Sequence, residues 1–144
     1  MNSPSLISVC ICTFLRPAGL AQAIASAARQ ILPPGICTEL IIVDNDPAGS
    51  ALVVIDNLRT QFPATELRYF HEPRSGVSFA RNRCLKEARG HLIAFLDDDE
   101  EARQDWLRRL LEALEQTMAD AVFGPVLPRF ADPDRGWCRR RRHR

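Results

Sequence analysis

Five apolar runs rich in β-branched residues punctuate this chain, and between them the apolar residues recur at helical spacing. The runs are LISVCICTF (6–14), TELIIVDND (38–46), TELRYFHE (65–72), HLIAFLD (91–97) and DAVFGPVLPRF (120–130). Each has the length and composition of a strand. The first is apolar without alternation, as suits a strand buried on both faces. The third alternates and belongs nearer an edge. Leu20, Ile24, Ala27 and Ile31 line one helical face, opened at Pro17 and stopped by Pro33-Pro34-Gly35. Leu52, Ile55, Leu58 and Phe62 line a second, ending near Pro63. Val77, Ala80, Cys84 and Ala88 line a third, with Gly90 suited to its C-terminal cap. Trp106, Leu107, Leu110, Leu111, Leu114 and Met118 line a fourth. Right-handed crossovers confine such a βαβαβαβαβ chain to a mostly parallel sheet with helices on both faces.

The chain has 144 residues, enough for one domain or for part of a larger one. No apolar run approaches the roughly 20 residues that span a bilayer. MNSPSLISVCICTF opens without a basic segment and reads as a first strand, not a signal peptide. The formal charge of +1 hides an asymmetry, because RRRRHR (139–144) holds five of the 19 basic residues. The body is mildly acidic, which excludes a whole-surface nucleic-acid binder. The tail alone could meet phosphates or anionic lipid. Residues 5–130 are therefore expected to fold and 131–144 to form a basic, disordered tail. Five cysteines without a CxxC pair argue against a disulfide framework or a zinc site and for a reducing compartment. Cys10 and Cys12 share one strand face and read as small buried hydrophobes.

In open α/β sheets, ligands bind outside the carboxyl ends of the strands. That directs attention to Thr13–Arg16, Asp44–Asp46, His71–Ser75 and Asp97–Glu101. Asp97, Asp98 and Asp99 leave the fourth run together. In extended chain, positions i and i+2 share a face, so Asp97 and Asp99 can converge while Asp98 points elsewhere. Such a pair suits Mg²⁺ or Mn²⁺, which also takes water and phosphate ligands. A solvated acidic start to the next helix is the other reading, and it suits Glu100 and Glu101. Asp44 and Asn45 could read a ribose or base edge, or could simply make a turn before Pro47. RSGVSFARNRC (74–84) offers either an anion cradle around Gly76 and Arg81 or a basic helix face with pairs such as Arg83–Glu87. No P-loop or dinucleotide fingerprint is present. His71 and His91 read as structural or surface residues.

Taken together, these stretches resemble the family 2 glycosyltransferases of the Rossmann-like GT-A fold, over roughly residues 5–130. ISVCICTFLRP resembles the family's opening strand, and LIIVDND its second. GVSFARNRCLKEARGHLIAFLDDDE is similar to its Gly-x-x-x-Ala-Arg-Asn segment followed by the metal-binding Asp-x-Asp. The wording is most similar to bacterial polysaccharide-assembling members. The resemblance implies a UDP-, dTDP- or GDP-sugar donor bound across the first four strands. Thr13 and Arg16 would line the nucleoside pocket, and Asp44 or Asn45 would contact base or ribose. The commoner Asp-Asp is replaced at that spot, which leaves base identity open. Arg81 would sit near the pyrophosphate. Asp97 would lie near ribose and metal, Asp98 would count with the donor residues, and Asp99 would be the main ligand of Mg²⁺ or Mn²⁺. The acceptor would be a saccharide or lipid-linked sugar, and the place of work the cytoplasm, with the tail adding the inner-membrane surface.

Inverting members of that family use a carboxylate base beyond the Asp-x-Asp. After Phe130 the only acids are Asp132 and Asp134, and GWCRRRRHR does not resemble the family's continuation. The expectation is a GT-A-type domain cut short, by truncation, frameshift or design, with the catalytic base unassigned. Two other readings stay open. One is a nucleotide- or metal-binding remnant working with another chain. The other is a receiver-like signalling domain, which would want a lysine after its last strand, where this chain's only lysine is Lys86.

Overall fold

A computed structural model describes residues 5–129. Four strands and four helices alternate along them. They are β1 (Ser5–Thr13), α1 (Pro17–Ala28), β2 (Ile36–Asp44), α2 (Leu52–Gln61), β3 (Glu66–His71), α3 (Val77–Glu87), β4 (Leu92–Phe95) and α4 (Trp106–Thr117). The strands form one parallel sheet in the order β3-β2-β1-β4. The alternating run forms an edge strand, and the unbroken apolar runs form the two central ones, as their patterns require.

The period of two along β1 divides the core. Ile7, Val9 and Ile11 face α1, α2 and α4, packing with Leu20, Ile24, Leu40, Ile42, Ile55 and Leu107. Cys10 and Cys12 face the other way and meet Ile41, Val43 and the α3 residues Ala80 and Cys84. Helices thus cover both faces of the sheet. Pro17 supplies the fixed φ of the first turn of α1, where its missing N–H costs nothing.

The register levels the strand ends. Thr13 pairs with Asp44, and Asp44 with His71. β4 is short, with its last pair at Cys10 and Phe95. One further bond, Leu96 N–H to the Cys10 carbonyl at 3.1 Å, carries the chain up to the same rim before it turns.

Three expectations are corrected. Residues 121–129 form no strand. Gly124, Pro125 and Pro128 weaken a ladder there, since proline has no N–H to donate. Phe123, Val126 and Leu127 are left exposed, and Arg129 pairs with Glu101 at 2.9 Å. Phe130 and residues 131–144, with the expected tail, lie outside the described residues. Second, Glu100 and Glu101 do not begin a helix. The following loop is pinned to α1 instead, through Ala102 N–H to Ser26 Oγ at 3.0 Å, and α4 starts only at Trp106, where Leu107 N–H bonds to Oε1 of Gln30, just past α1, at 3.0 Å. Third, Gly90 is not a helix cap. It is the point where the α3–β4 loop crosses β1, and a Cβ there would sit 2.6 Å from the Ser8 nitrogen and 2.7 Å from the Leu6 oxygen.

Glu39, in the middle of β2, is fully buried. Its carboxylate accepts from Ser8 Oγ at 2.6 Å, Arg68 at 2.9 Å, and the Arg89 backbone and side chain at 2.8 and 2.9 Å. Burial opposes its charge, but these donors outweigh it and hold the carboxyl down at about 2. The network ties β1, β2, β3 and the α3–β4 loop together, away from the strand-end rim.

Candidate functional site

The carboxyl rim of β1 and the turn after β4 meet at Asp98. Glu100 N–H bonds to the Asp97 carbonyl at 3.1 Å, closing a turn around Asp98 and Asp99. The turn drives the Asp98 side chain inward and leaves Asp97 and Asp99 outside. Asp98 accepts from Thr13 Oγ1 at 2.8 Å, from Phe14 N–H at 3.4 Å and from Arg16 at 3.4 Å. Arg16 continues to Asp99 at 2.5 Å, while Asp97 pairs with Arg81 of α3 at 3.5 Å. The structure therefore brings Thr13, Arg16, Arg81, Asp97, Asp98 and Asp99 into one connected cluster drawn from β1, α3 and the acidic turn.

Two backbone features hold this turn in place. Leu15 has φ of +55°, an unusual conformation for a leucine, in the loop that delivers Arg16. Gly19, in the first turn of α1, lies so close to Asp98 that a Cβ would meet its carbonyl oxygen at 2.4 Å. Neither was expected. The signal for Gly19 was present as a glycine inside a helical pattern, a costly choice that points to a packing reason.

Asp44 and Asn45 sit at the same rim but are turned into the protein. Asp44 is fully buried and accepts from Asp46 N–H at 3.0 Å, Ala51 N–H at 2.8 Å and the Tyr69 hydroxyl at 3.1 Å. Burial first, then the charge of Asp44, pushes the Tyr69 hydroxyl up to about 12. Asn45 donates to the carbonyls of Glu72 and Arg74, at 2.8 and 2.7 Å, and accepts from Gly76 N–H at 3.0 Å. In this conformation neither side chain presents a free edge to a base or ribose. Both position loops, and one N–H of the expected anion cradle, that of Gly76, is engaged by Asn45. The same loop carries a buried Glu72, held at about 2 by the Arg74 guanidinium, which itself lies over the Phe79 ring at 4.7 Å. His71 meets the Asp46 carbonyl at 2.8 Å, a structural contact.

A hollow of about 190 Å³ opens beside the cluster, lined by Thr13, Leu15, Arg16, Pro17, Ser50 and Ala51. Ser50 and Ala51 come from the entry to α2 and were not anticipated. A larger hollow of about 330 Å³ lies between Pro33, Pro34, Ile36 and the α4 residues Arg108, Leu111, Glu112 and Glu115. It adjoins the start of β2, the end of the sheet opposite the cluster, so the smaller hollow is the candidate site.

The donor set suits a hard divalent ion. Asp97 and Asp99 are both exposed, on either side of the inward Asp98 and each paired with a different arginine, and no group of three acidic, histidine or cysteine side chains gathers among the described residues. One or two carboxylates completed by water and phosphate is the ordinary Mg²⁺ arrangement. Arg81 and Arg16 now neutralise these carboxylates and would have to yield to a cation.

A parallel sheet with a charged cluster and a hollow at its carboxyl rim is an open α/β domain with its ligand crevice outside the strand ends. The Glycosyl transferase family 2 model matches residues 8–144, extending past the 5–130 range of the sequence resemblance. The chain belongs to glycosyl transferase family 2. It is 40% identical over 138 residues to the succinoglycan biosynthesis protein ExoM of Rhizobium meliloti (strain 1021), covering 96% of this chain and 44% of ExoM. It thus spans under half the length of that relative. S. aureus TarS 1-349 in complex with UDP superposes with a TM-score of 0.67 at 21% identity, over 85% of this chain and 38% of that one. The mannosyltransferase PcManGT from Pyrobaculum calidifontis, in complex with GDP-Man and Mn²⁺, superposes with a TM-score of 0.68 at 20% identity, over 75% of this chain and 32% of that one. At these identities the structures support the GT-A fold alone.

Proposed function

We propose that this chain is the donor-binding part of a glycosyltransferase that moves a sugar from a nucleotide diphosphate to a saccharide or lipid-linked acceptor during polysaccharide synthesis. The observation that carries the reading is the cluster of Thr13, Arg16, Asp98 and Asp99 beside the rim hollow. It joins a concave surface to cations that can be released toward phosphate. Relatives that bind UDP or GDP-Man, and a relative in succinoglycan assembly, support the same reading.

The hollow takes the nucleoside, with Thr13 and Arg16 on its wall. Asp44 helps shape it by holding Ala51 at the α2 entry, and Asn45 is engaged by the 72–76 loop, so base discrimination falls to groups exposed at the rim. Asp98 stays inward as the anchor of the turn. Asp97 and Asp99 would hold Mg²⁺ or Mn²⁺, which when bound would supply Lewis-acid stabilisation of the leaving diphosphate. Arg16 and Arg81, relieved of their carboxylates, orient and neutralise phosphate oxygens. Transfer is of the inverting type, with the general base assigned to no described residue. Among the described residues no helix is long and apolar enough to cross a membrane. We place the site in the cytoplasm, and the charge of RRRRHR (139–144) suits an anionic membrane surface.

Calorimetric titration of UDP, dTDP and GDP, with and without Mn²⁺, tests this. Mn²⁺-dependent binding of one nucleotide, lost in Asp99→Ala, is the expected result. Failure to bind any of the three overturns the reading.

A further inference from the structure

Three thiols meet beneath the rim. Cys10 and Cys12 project from the same face of β1, and Cys84 reaches them from α3. The Cys12 and Cys84 sulfurs are 3.6 Å apart. Cys10 and Cys84 are fully buried, but Cys12 is partly exposed, so one member of the close pair can meet a small solute. Packing alone explains why small apolar residues stand here. It gives no reason for two thiols in contact with one of them open to solvent.

We propose that Cys12 and Cys84 are a site of oxidative modification, closing a reversible intrachain disulfide when the chain meets hydrogen peroxide. Cys12 is the attacking group. The hydrogen bond from Cys84, with the Arg81 guanidinium adding to it, lowers its pKa against the opposition of burial and of the Asp97 and Asp98 charges, whereas Cys10, Cys12 and burial push the Cys84 thiol up. The Cys12 thiolate attacks one peroxide oxygen; the O–O bond breaks, hydroxide leaves and takes up the proton that Cys12 released, and a sulfenic acid forms. The Cys84 sulfur then attacks the Cys12 sulfur. The S–S bond forms, the S–O bond breaks, and the departing hydroxide takes the Cys84 proton. Two thiols and one peroxide become one disulfide and two waters.

The bond needs the sulfurs to close from 3.6 Å to about 2.0 Å. That movement draws α3 against the end of β1. Thr13 follows Cys12 directly, and Arg81 lies one helical turn before Cys84. The pair thus links the two elements that hold Asp98 and Asp97. The consequence for nucleotide binding rests on the proposed function; the disulfide itself does not.

The test is exposure of the native chain to peroxide, alkylation of residual thiols, digestion and mass mapping. Loss of two of the five thiols with a Cys12–Cys84 crosslinked peptide, reversed by dithiothreitol, is expected. Cys12→Ser and Cys84→Ser should each abolish the crosslink, and Cys37→Ser should leave it. If a variant fails to fold, the wild-type peptide map still decides. A crosslink through Cys10, Cys37 or Cys138 instead, or oxidation to sulfinic acid with no crosslink, overturns the assignment. Where the reduced chain binds UDP, the oxidised chain should bind it more weakly by about fivefold or more. Unchanged affinity overturns the coupling to the site. A chain that forms the crosslink but binds no nucleotide overturns the proposed function and keeps the modification.

Discussion

Thr13 donates its hydroxyl to Asp98 across 2.8 Å, joining the end of β1 to the acidic turn 85 residues further along the chain. Both groups are buried, so the bond is shielded from competing water. Thr13→Val keeps the shape and removes the donor. Asp98 then keeps only Phe14 N–H and Arg16, each at 3.4 Å. The substitution should cost about 1–3 kcal/mol in urea unfolding and loosen the turn. Thr13→Ser, which restores the hydroxyl, should recover most of the loss.

Gly19 makes a steric prediction about the same turn. A methyl group there would meet the Asp98 carbonyl oxygen at 2.4 Å, so either α1 or the turn must move. Backbone cannot swing aside as a flexible side chain can. Gly19→Ala should therefore destabilise the chain by about 1–3 kcal/mol, although alanine is the better helix former by about 1 kcal/mol. Thermal unfolding checks this, and a stabilised variant would refute the contact.

Such contacts were hidden in the sequence, whereas the fold was largely visible there. Hydrophobic period is a local property, so LISVCICTF revealed a strand buried on both faces, TELIIVDND a second strand and TELRYFHE one nearer an edge. DAVFGPVLPRF has the apolar content of a strand, but Gly124, Pro125 and Pro128 interrupt the ladder that a strand needs. The residue types of the site were visible too, and the structure gathers Thr13, Arg16, Arg81, Asp97, Asp98 and Asp99 together. Their roles were not all legible. Alternation separated Asp98 from its neighbours, but only the turn and the distant Thr13 show that Asp98 is the buried anchor. Asp44 and Asn45 looked like exposed turn residues because their partners, Tyr69 and the 72–76 loop, lie 25 or more residues away.

Glu39 was overlooked for the same reason, and it sets a pH dependence. Its folded carboxyl is held at about 2 against an ordinary value of 4.5. As pH falls, the unfolded chain takes up the proton first. The stabilisation is complete above about pH 4.5, declines below it and is lost by about pH 2. The two values correspond to about 3 kcal/mol. Glu39→Gln should lower stability at neutral pH and flatten the acid limb by a similar amount. Urea unfolding at pH 7, 5 and 3, chosen to bracket that window, measures the difference between the two chains, and parallel curves would count against the network.

The three aspartates of the turn should separate by function. Asp97 and Asp99 are exposed and paired with the exposed arginines Arg81 and Arg16. Such pairs contribute less than about 1 kcal/mol, so Asp97→Asn and Asp99→Asn should unfold almost as the parent does. Asp98 is buried among its donors, and Asp98→Asn should cost about 1–3 kcal/mol. Mn²⁺-dependent nucleotide binding should run the other way for the outer pair, falling about tenfold or more in Asp97→Asn and Asp99→Asn at nearly full stability. Paired urea unfolding and calorimetry on the three variants reads both axes. If Asp99→Asn lost stability and kept its Mn²⁺ dependence, the exposed carboxylates would be structural, and the metal assignment would fall with them.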